Sequence, residues 1–197
     1  MNYAAIKYCD IANGVGVRTT LFVSGCRVGC PGCFNAEAWD FDAGEPFSAE
    51  VQEKILKSLE PYWVAGLSVL GGEPFEPENQ AALRPFLEKV REKFPQKTIW
   101  CYSGYVYDRD IAPAGGRKHT ADTNAMLDCI DVLVDGPYIA AEHSVTLRFK
   151  GSDNQRLIDL AAMKPVRQGL LAASLDPAQA PIILWQDENV YATHKFE

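Results

Sequence analysis

Short apolar runs recur along the chain, and each ends in small or turn-forming residues. The runs predicted to form strands are residues 18–24, 66–70, 97–102 and 131–135. They are rich in β-branched and aromatic residues, which is typical of strands buried in a sheet. The pattern therefore predicts at least four core strands, each followed by a loop that begins with small residues.

Between these runs, apolar residues recur at helical spacing. One helix is predicted from Ser48, which can cap its first turn, to Pro61. Two more are predicted over residues 78–94 and 123–129. Strands that alternate with helices indicate an α/β fold with a mainly parallel sheet, in which functional loops lie at the carboxyl ends of the strands.

The remaining segments give less regular patterns. Residues 112–120 are predicted to be a polar, glycine-rich surface loop, and residues 145–149 a further strand. Ser152 and Gln155 resemble a capping box, which predicts a helix over residues 154–163. Beyond residue 164 an Ala- and Pro-rich appendage is expected up to residue 181, followed by a strand-like run over 182–185.

Three cysteines fall within eight residues directly after the first predicted strand: Cys26, Cys30 and Cys33. A loop with C-x3-C-x2-C spacing can bind three corners of a four-iron cluster. Three thiolates leave one metal open to a substrate, whereas electron carriers and structural zinc sites use four ligands. The three glycines of the loop allow the sharp bends that this wrapping requires. The spacing therefore predicts a [4Fe-4S] site.

A zinc knuckle or a disulfide-linked turn is the alternative interpretation of this loop. It would recruit a fourth ligand from Cys9, Cys101 or Cys129. None of these three cysteines pairs with another at C-x2-C spacing, and Cys101 lies within a predicted strand. The alternative predicts four thiolate ligands and no substrate at the metal.

A second motif, residues 71–74 (Gly-Gly-Glu-Pro), follows the second predicted strand. Its glycines allow backbone groups to approach a ligand, and Glu73 can accept hydrogen bonds from an ammonium group. An open iron could chelate the amine and carboxylate of an amino acid and hold a sulfonium beside an electron source. A plain turn between strand and helix is the other interpretation of the motif.

Several single residues allow two interpretations. Three aromatic residues could stack on an adenine or belong to the core: Phe34, Tyr105 and Tyr138. The three histidines show no ligand spacing and are interpreted as surface or structural residues: His119, His143 and His194. Asp135, at the end of a predicted strand, could serve the site or cap the following turn.

Composition narrows the class of protein. The 197 residues suit a single domain, and a net charge of −7 without a cluster of Lys and Arg gives no reason to expect nucleic-acid or anionic-membrane binding. No signal peptide or membrane span is predicted, so a cytoplasmic location is expected. In a reducing compartment, clustered cysteines are more often metal ligands than disulfides.

The cysteine loop and residues 71–74 together resemble the radical S-adenosylmethionine superfamily. More narrowly, the chain is similar to the activating proteins of anaerobic (class III) ribonucleoside-triphosphate reductases. That similarity covers about residues 3 to 163 and rests on residues 13–18, 20–26, 30–35, 99–100, 103–105, 132–136 and 148–155. It implies an activase domain over residues 1–163 and a C-terminal extension of unknown role over 164–197.

The resemblance implies a reaction and a set of site residues. S-adenosylmethionine would be cleaved reductively at a [4Fe-4S] cluster, and a glycyl radical would form on the reductase. Cys26, Cys30 and Cys33 would hold the cluster, with no catalytic side chain beyond the cluster and the cofactor. The residues implied to contact or adjoin S-adenosylmethionine are Gly32, Cys33, Phe34, Gly71, Gly72, Glu73 and Pro74. The implied fold is an incomplete, open (β/α) barrel, and the implied partners are the reductase and a low-potential electron donor such as flavodoxin.

The chain departs from the family pattern at three places. Val15 stands in a turn where the family usually has a proline or a similar residue, and residues 112–120 and the chain from Pro165 onward are additions. Two competing functions stay within the superfamily: activation of a different glycyl-radical enzyme, or radical chemistry on a small metabolite. A non-enzymatic iron–sulfur or zinc module that senses redox state or scaffolds a complex is the alternative from another class.

Overall fold

One seven-stranded sheet runs through the protein. The computed structural model describes residues 1–186. The strands are β1 (Asn2–Asp10), β2 (Val17–Val23), β3 (Glu45–Pro46), β4 (Val64–Gly71), β5 (Thr98–Tyr102), β6 (Val132–Asp135) and β7 (Arg156–Asp159). Their order across the sheet is β3-β1-β2-β4-β5-β6-β7. The sheet is open, because its two outer strands do not pair with each other.

The direction of the strands differs between the centre and the edges of the sheet. β2, β4, β5 and β6 are parallel. β1 and β3 at one edge and β7 at the other are antiparallel to their neighbours. The fold is therefore mixed α/β, which confirms the predicted class and the predicted parallel centre.

Four helices connect or flank these strands: α1 (Ala49–Ser58), α2 (Pro77–Lys93), α3 (Thr123–Cys129) and α4 (Leu160–Ala172). Ser48 caps α1, as predicted, by accepting a hydrogen bond from the amide of Val51 at 3.4 Å. α2 begins at Pro77, where the missing amide hydrogen is not needed. Within residues 1–186, no helix is long and apolar enough to span a membrane.

The core consists of side chains from the central strands and the inner faces of the helices. Leu21, Leu67 and Leu133 from the strands are fully buried, and so are Leu56 and Leu87 from α1 and α2. These residues belong to one continuous cluster. Their burial explains why the periodicity of the sequence predicts α1, α2, α3 and the parallel strands correctly.

Arg18, at the start of β2, is fully buried and contacts the two strands that follow β2 across the sheet. Its guanidinium donates to the hydroxyl of Ser68 at 2.7 Å and to the carbonyls of Leu67 and Thr98 at 2.7 and 2.8 Å. All these acceptors are uncharged, and burial lowers the pKa of Arg18 to about 10. The side chain thereby fastens β2, β4 and β5 together at the end remote from the cysteine loop.

The predicted strand over residues 145–149 is wrong. Val145 lies in a turn and is 90% exposed, and Phe149 adopts a left-handed backbone with φ 60°. The β-branched and aromatic residues of this run have no adjacent strand to pair with, and β propensity forms a strand only where such a partner exists. The run is part of an irregular connection between β6 and β7.

The predicted helix over residues 154–163 is wrong in its first half. Residues 156–159 form β7, and α4 begins only at Leu160, with Asp159 as its cap accepting from the amide of Ala162 at 2.8 Å. Gln155 does reach back, but its side-chain oxygen accepts from the amides of Gly151 and Ser152 within a turn. The capping-box residues therefore close a turn before a strand instead of opening a helix.

The chain beyond residue 164 is more ordered than the composition indicates. α4 continues through Pro165 to Ala172 and therefore crosses the predicted boundary between residues 163 and 164. Further along, residues 182–185 lie beside β7, where Asp159 donates to the carbonyl of Ile183 and Trp185 donates to that of Leu157. The predicted strand-like run thus adds an extended segment to the edge of the sheet.

β1 was not predicted from the sequence. Most of its residues are half-buried or exposed, so it lacks the continuous apolar pattern of the inner strands. Tyr3 to Asp10 nevertheless pair with β2 over nearly its full length. Residues 112–120 do form a loop, mostly at the surface, although its Lys118 turns inward, as described below.

Candidate functional site

An open cavity of about 500 Å³ lies at the carboxyl ends of the four parallel strands. The loops that follow β2, β4, β5 and β6 all contribute to its lining. In open α/β sheets, ligands bind outside the carboxyl ends of the strands. All three cysteines of the C-x3-C-x2-C loop line this cavity, as do five of the other predicted site residues: Gly32, Phe34, Gly71, Gly72 and Glu73.

The start of the cysteine loop is fastened by backbone hydrogen bonds. The amides of Gly25 and Cys26 donate to the carbonyls of Ala38 and Trp39 at 2.8 and 3.0 Å. Gly25 has φ 93°, and a side chain there would collide with the ring of Phe41 at 2.3 Å. Only glycine can bring the loop out of β2 at this angle, because both the backbone conformation and the space exclude a Cβ atom.

The three thiols are a suitable donor set for iron. All are free, and each is partly buried. Desolvation raises the pKa of Cys26 to about 11, and it also raises the pKa of Cys30. Partly buried thiols of this kind become thiolates when a metal cation supplies the compensating charge. The residues therefore fit a cluster that binds through three thiolates.

The other three cysteines lie away from the cavity. Cys9 is exposed on β1, whereas Cys101 on β5 and Cys129 at the end of α3 are buried. Across residues 1–186, no three His, Cys, Asp or Glu side chains are arranged to hold a single metal ion. The cysteine ligands of a four-iron cluster bind different irons and do not have to converge on one point.

The loop after β4 packs directly against the cysteine loop. The amide of Gly72 donates to the carbonyl of Val23 at 2.6 Å, and the amide of Glu73 donates to that of Gly25 at 2.8 Å. A Cβ atom on Gly72 would lie 2.6 Å from the oxygen of Gly25 and 2.8 Å from that of Ala38. Gly72 therefore lines the cavity, and it must be glycine because two backbones approach each other closely at this point.

Glu73 is only 1% exposed and uses both carboxylate oxygens. One oxygen accepts from the amide of Phe75 and the hydroxyl of Ser103 at 2.8 and 2.9 Å, and the other accepts from the amide of Gly104 at 2.7 Å. Desolvation raises the pKa of Glu73 to about 7, although these three hydrogen bonds act in the opposite direction. Glu73 therefore joins the loops after β4 and β5 and also presents a carboxyl group to the cavity.

Comparison with known proteins gives consistent matches. Residues 12–158 match the family model described as a 4Fe-4S single cluster domain. The anaerobic ribonucleoside-triphosphate reductase-activating protein of Haemophilus influenzae is 38% identical over 157 residues, which are 79% of this chain and 96% of the relative. The proteins of the same name from Escherichia coli K12 and phage T4 are each 35% identical over 157 residues; these cover 79% and 80% of this chain, and 96% and 93% of the respective relatives. The chain belongs to this activating-protein family.

In this member of the activating-protein family, an ionic network centred on a buried carboxylate supports the cysteine loop. The carboxylate of Glu76 is fully buried and accepts from Arg27 at 2.8 Å, from Lys118 at 2.6 Å and from the hydroxyl of Tyr105 at 2.8 Å. Arg27 also stacks on Phe41 at 4.1 Å. Lys118 comes from the 112–120 loop, so this loop is joined through Glu76 to Arg27, the residue next to Cys26. Sequence inspection missed the network, because only the tertiary structure brings its members together.

The irregular connection between β6 and β7 forms another side of the cavity. Its lining residues are Gly136, Tyr138, His143, Leu147, Phe149, Lys150, Gly151 and Gln155. His143 lies on the cavity, where its Nδ1 is 2.8 Å from the carbonyl oxygen of Gly151. His143 is exposed and hydrogen-bonded to the backbone, which agrees with its interpretation as a surface or structural residue. The sequence did not indicate that it would line the cavity.

The remaining predicted residues have other positions. Pro74 is buried behind the lining of the cavity. Tyr105 is a core residue, 2% exposed. Asp135 neither lines the cavity nor caps the next turn, because it is buried and accepts from Arg156 at 2.6 Å and from the amide of Tyr107 at 2.7 Å. His119 lies 2.9 Å from the carbonyl of Ile111. His194 lies outside the described residues.

Proposed function

We propose that this protein is an activating enzyme that reductively cleaves S-adenosylmethionine at a [4Fe-4S] cluster and generates a glycyl radical on an anaerobic ribonucleoside-triphosphate reductase. The observation that carries the proposal is the cavity itself. Three thiols and the Gly71–Glu73 loop face the same space, and no other cysteine lines it. Such an arrangement leaves one iron of a cluster open to a substrate.

The proposal includes an incomplete (β/α) barrel of the radical S-adenosylmethionine type, and the observed sheet is consistent with it. Four parallel strands with helices between them carry loops at one end, and the sheet stays open. An incomplete (β/α) barrel is built from the same units, and its open side would admit a protein segment as substrate. Activity at the carboxyl ends of such strands is the general rule for these architectures.

Cys26, Cys30 and Cys33 would supply three thiolates to the cluster. When bound, the cluster would pass one electron to the sulfonium of S-adenosylmethionine, breaking a carbon–sulfur bond to give methionine and a 5′-deoxyadenosyl radical that takes a hydrogen atom from a glycine of the reductase. Glu73 would stay fixed beside this space, because its carboxylate accepts from the hydroxyl of Ser103 and the amide of Gly104.

The residues proposed to bind S-adenosylmethionine contribute in different ways. Gly71 and Gly72 line the cavity because, without side chains, their loop can lie directly against the backbone of residues 22–25. Glu73 retains acceptor capacity for an ammonium group. Phe34 is 87% exposed at the edge of the cavity and offers a ring on which an adenine could stack. Gly32 and Cys33 would contact the cofactor beside the cluster. Pro74, which is buried, would adjoin the site by shaping the turn.

The names of the relatives support the reductase as the partner. Each curated relative reported above is named as an activating protein of the anaerobic reductase. The electron would come from a low-potential donor such as flavodoxin. Because the relatives share more than a third of their residues with this chain over nearly their whole length, the reductase is a better-supported partner than another glycyl-radical enzyme.

The test is an anaerobic reconstitution with iron and sulfide. The reduced protein is mixed with S-adenosylmethionine, first alone and then with the reductase, while the cluster's EPR signal, 5′-deoxyadenosine and the glycyl radical are measured. We expect the cluster signal to change when S-adenosylmethionine is added, and the glycyl radical to appear only with the reductase. Cys30→Ala should abolish all three readouts, and Cys9→Ala, which removes an exposed cysteine, should leave them unchanged.

Two outcomes would contradict the proposal. A signal that is indifferent to S-adenosylmethionine and disappears when Cys9, Cys101 and Cys129 are replaced would indicate four thiolate ligands and a redox sensor or scaffold. Zinc in place of iron after purification and reconstitution would do the same. Cleavage of S-adenosylmethionine without a glycyl radical on the reductase would leave the cluster chemistry intact and reassign the partner.

A further inference from the structure

Three aromatic side chains from distant parts of the sequence meet beside the cavity. The ring of Trp100 on β5 lies 5.1 Å from that of Phe149 and 5.1 Å from that of Trp185, and Phe149 and Trp185 are 6.2 Å apart. All three pairs are edge-to-face, with interplanar angles of 71–73°. This is a favoured geometry for aromatic pairs. The rings therefore form a closed triangle, which we call the aromatic triangle.

Phe149 connects the triangle to the cavity. It lines the cavity together with its neighbours Leu147, Lys150 and Gly151. Its backbone is left-handed, with φ 60°, a conformation that bulky residues rarely adopt. Such conformations persist only where the surroundings hold them, and they concentrate at functional sites. The two tryptophans are the aromatic neighbours that hold this ring.

Trp185 is itself fixed to the edge of the sheet. Its amide donates to the carbonyl of Leu157 at 2.9 Å, and two residues earlier the carbonyl of Ile183 accepts from the amide of Asp159 at 2.8 Å. Leu184 forms a bridge with Ile158 of β7. Since the family match ends at residue 158, Trp185 reaches the cavity wall from a part of the chain that the family model does not cover.

We propose that Trp185 is a positioning residue for the cofactor cavity. By packing on Phe149 it holds residues 147–151 in the conformation that forms one wall of the cavity. The C-terminal extension would thus influence the active site through one ring, that of Trp185, which packs on Phe149 and does not itself line the cavity. The link to S-adenosylmethionine rests on the proposed function, whereas the effect on the wall itself does not.

Trp185→Ala and Trp185→Phe test this inference in the full-length protein. The first measurement is hydrogen–deuterium exchange of the amides of residues 147–151 before reconstitution. The second is the KM for S-adenosylmethionine and the kcat of its cleavage after reconstitution. The control is Trp63→Ala, because Trp63 is 49% exposed and lies outside the aromatic triangle.

Removing the ring of Trp185 should make residues 147–151 more mobile and weaken cofactor binding, with little effect on the rate of cleavage. We expect Trp185→Ala to speed exchange over residues 147–151 and to raise the KM by about tenfold, as expected from the loss of two aromatic pairs, with kcat within about twofold. Trp185→Phe should restore most of both properties because it keeps a ring, and Trp63→Ala should match the wild type. Faster exchange throughout the sheet would show a general loss of stability and would overturn a specific role for Trp185 in this wall.

Three results would contradict part or all of this inference about Trp185. Unchanged exchange over residues 147–151 in Trp185→Ala would overturn the inference, and so would an increase that Trp185→Phe fails to reverse. Faster exchange with an unchanged KM would overturn the link between the wall and the cofactor. If the wild type itself does not bind S-adenosylmethionine, the proposed function fails, while the exchange data still decide whether Trp185 positions the wall.

Discussion

The two sides of the cavity are built in different ways. The first side, which we call the first wall, consists of the strand-end loops at residues 24–26, 71–73 and 103–104. The other side, which we call the second wall, consists of residues 138–155. In the first wall, backbone amides donate to backbone carbonyls of the next loop, and Glu73 at its centre is buried. The second wall consists of turns, with exposed residues such as Val145 and with hydrogen bonds mainly between side chains and nearby backbone.

This difference suggests a division of labour. A group that must hold a cluster needs ligands whose own positions are set by surrounding contacts. The first wall provides that for Cys26 through the contacts of Gly25, Gly72 and Glu73. The second wall forms its hydrogen bonds almost entirely within residues 136–155. It is joined to the rest of the protein by the aromatic triangle and by the pairing of β6 with β7. We therefore expect substitutions in the two walls to have unequal effects.

The largest effect is expected where the second wall joins the sheet. Asp135 and Arg156 are opposite each other on β6 and β7, and the carboxylate of Asp135 is 1% exposed. Arg156→Leu would leave this buried charge without its cation, which should lower the free energy of unfolding by about 3–5 kcal/mol in urea denaturation. Arg156 bridges Asp135 and Asp108. The matched control is Arg84→Leu, since Arg84 also bridges two carboxylates, Glu88 and Asp122, but their side chains are 45% and 27% exposed and neither is buried. It should cost about 1 kcal/mol or less. Equal losses for the two variants would contradict the prediction.

The next effect concerns the pH dependence of the first wall. The pKa of Glu73 is raised from 4.5 to about 7, so the protonated carboxyl is favoured in the folded protein. Its contribution to stability is complete below pH 4.5 and is lost as the pH rises through 7, a change of about 3 kcal/mol. The wild-type apoprotein should lose this stability between pH 4.5 and 7.5 relative to Glu73→Gln, which cannot ionise. Parallel stability curves for the two proteins would show that Glu73 does not titrate in this range.

A smaller effect compares one glycine from each wall. Gly72→Ala places a Cβ atom 2.6 Å from a backbone oxygen, so it should destabilise the protein by about 1–3 kcal/mol and lower the iron bound per chain. Gly151→Ala meets only side-chain atoms, the ring of Tyr138 at 3.2 Å and the amide oxygen of Gln155 at 3.5 Å, and should change stability by about 0.5 kcal/mol or less. Thermal unfolding and iron analysis of the two variants measure the contrast directly. Similar losses at both positions would mean that the two walls are equally rigid.

Much of the fold could be predicted from local patterns. The inner strands β2, β4, β5 and β6 are buried on both faces, so they appear as continuous apolar runs. α1, α2 and α3 show their buried faces through helical spacing. The position of the cysteine loop and of residues 71–74 at strand ends followed from the same patterns, because each strand is directly followed by its loop.

The errors lie where a local signal depended on a partner distant in sequence. Residues 145–149 have strand-forming composition, but no strand within residues 1–186 pairs with them. Residues 156–159 form a strand because β6 offers its free edge, although the preceding Ser152 and Gln155 resemble a helix start. β1 was missed for a related reason, since a half-exposed strand at the edge of a sheet carries no continuous apolar pattern.

The sequence by itself determined the class of fold, the central strands and helices, and the three-cysteine loop with its glycines, because these depend on burial patterns and backbone freedom within short segments. Only the tertiary structure decided which side chains meet around the cavity. Glu76 with Arg27 and Lys118, Asp135 with Arg156, and Trp185 with Phe149 are each brought together across 20 or more residues of chain. Packing and desolvation depend on which residues are neighbours in space, and local sequence patterns do not show which distant residues become neighbours.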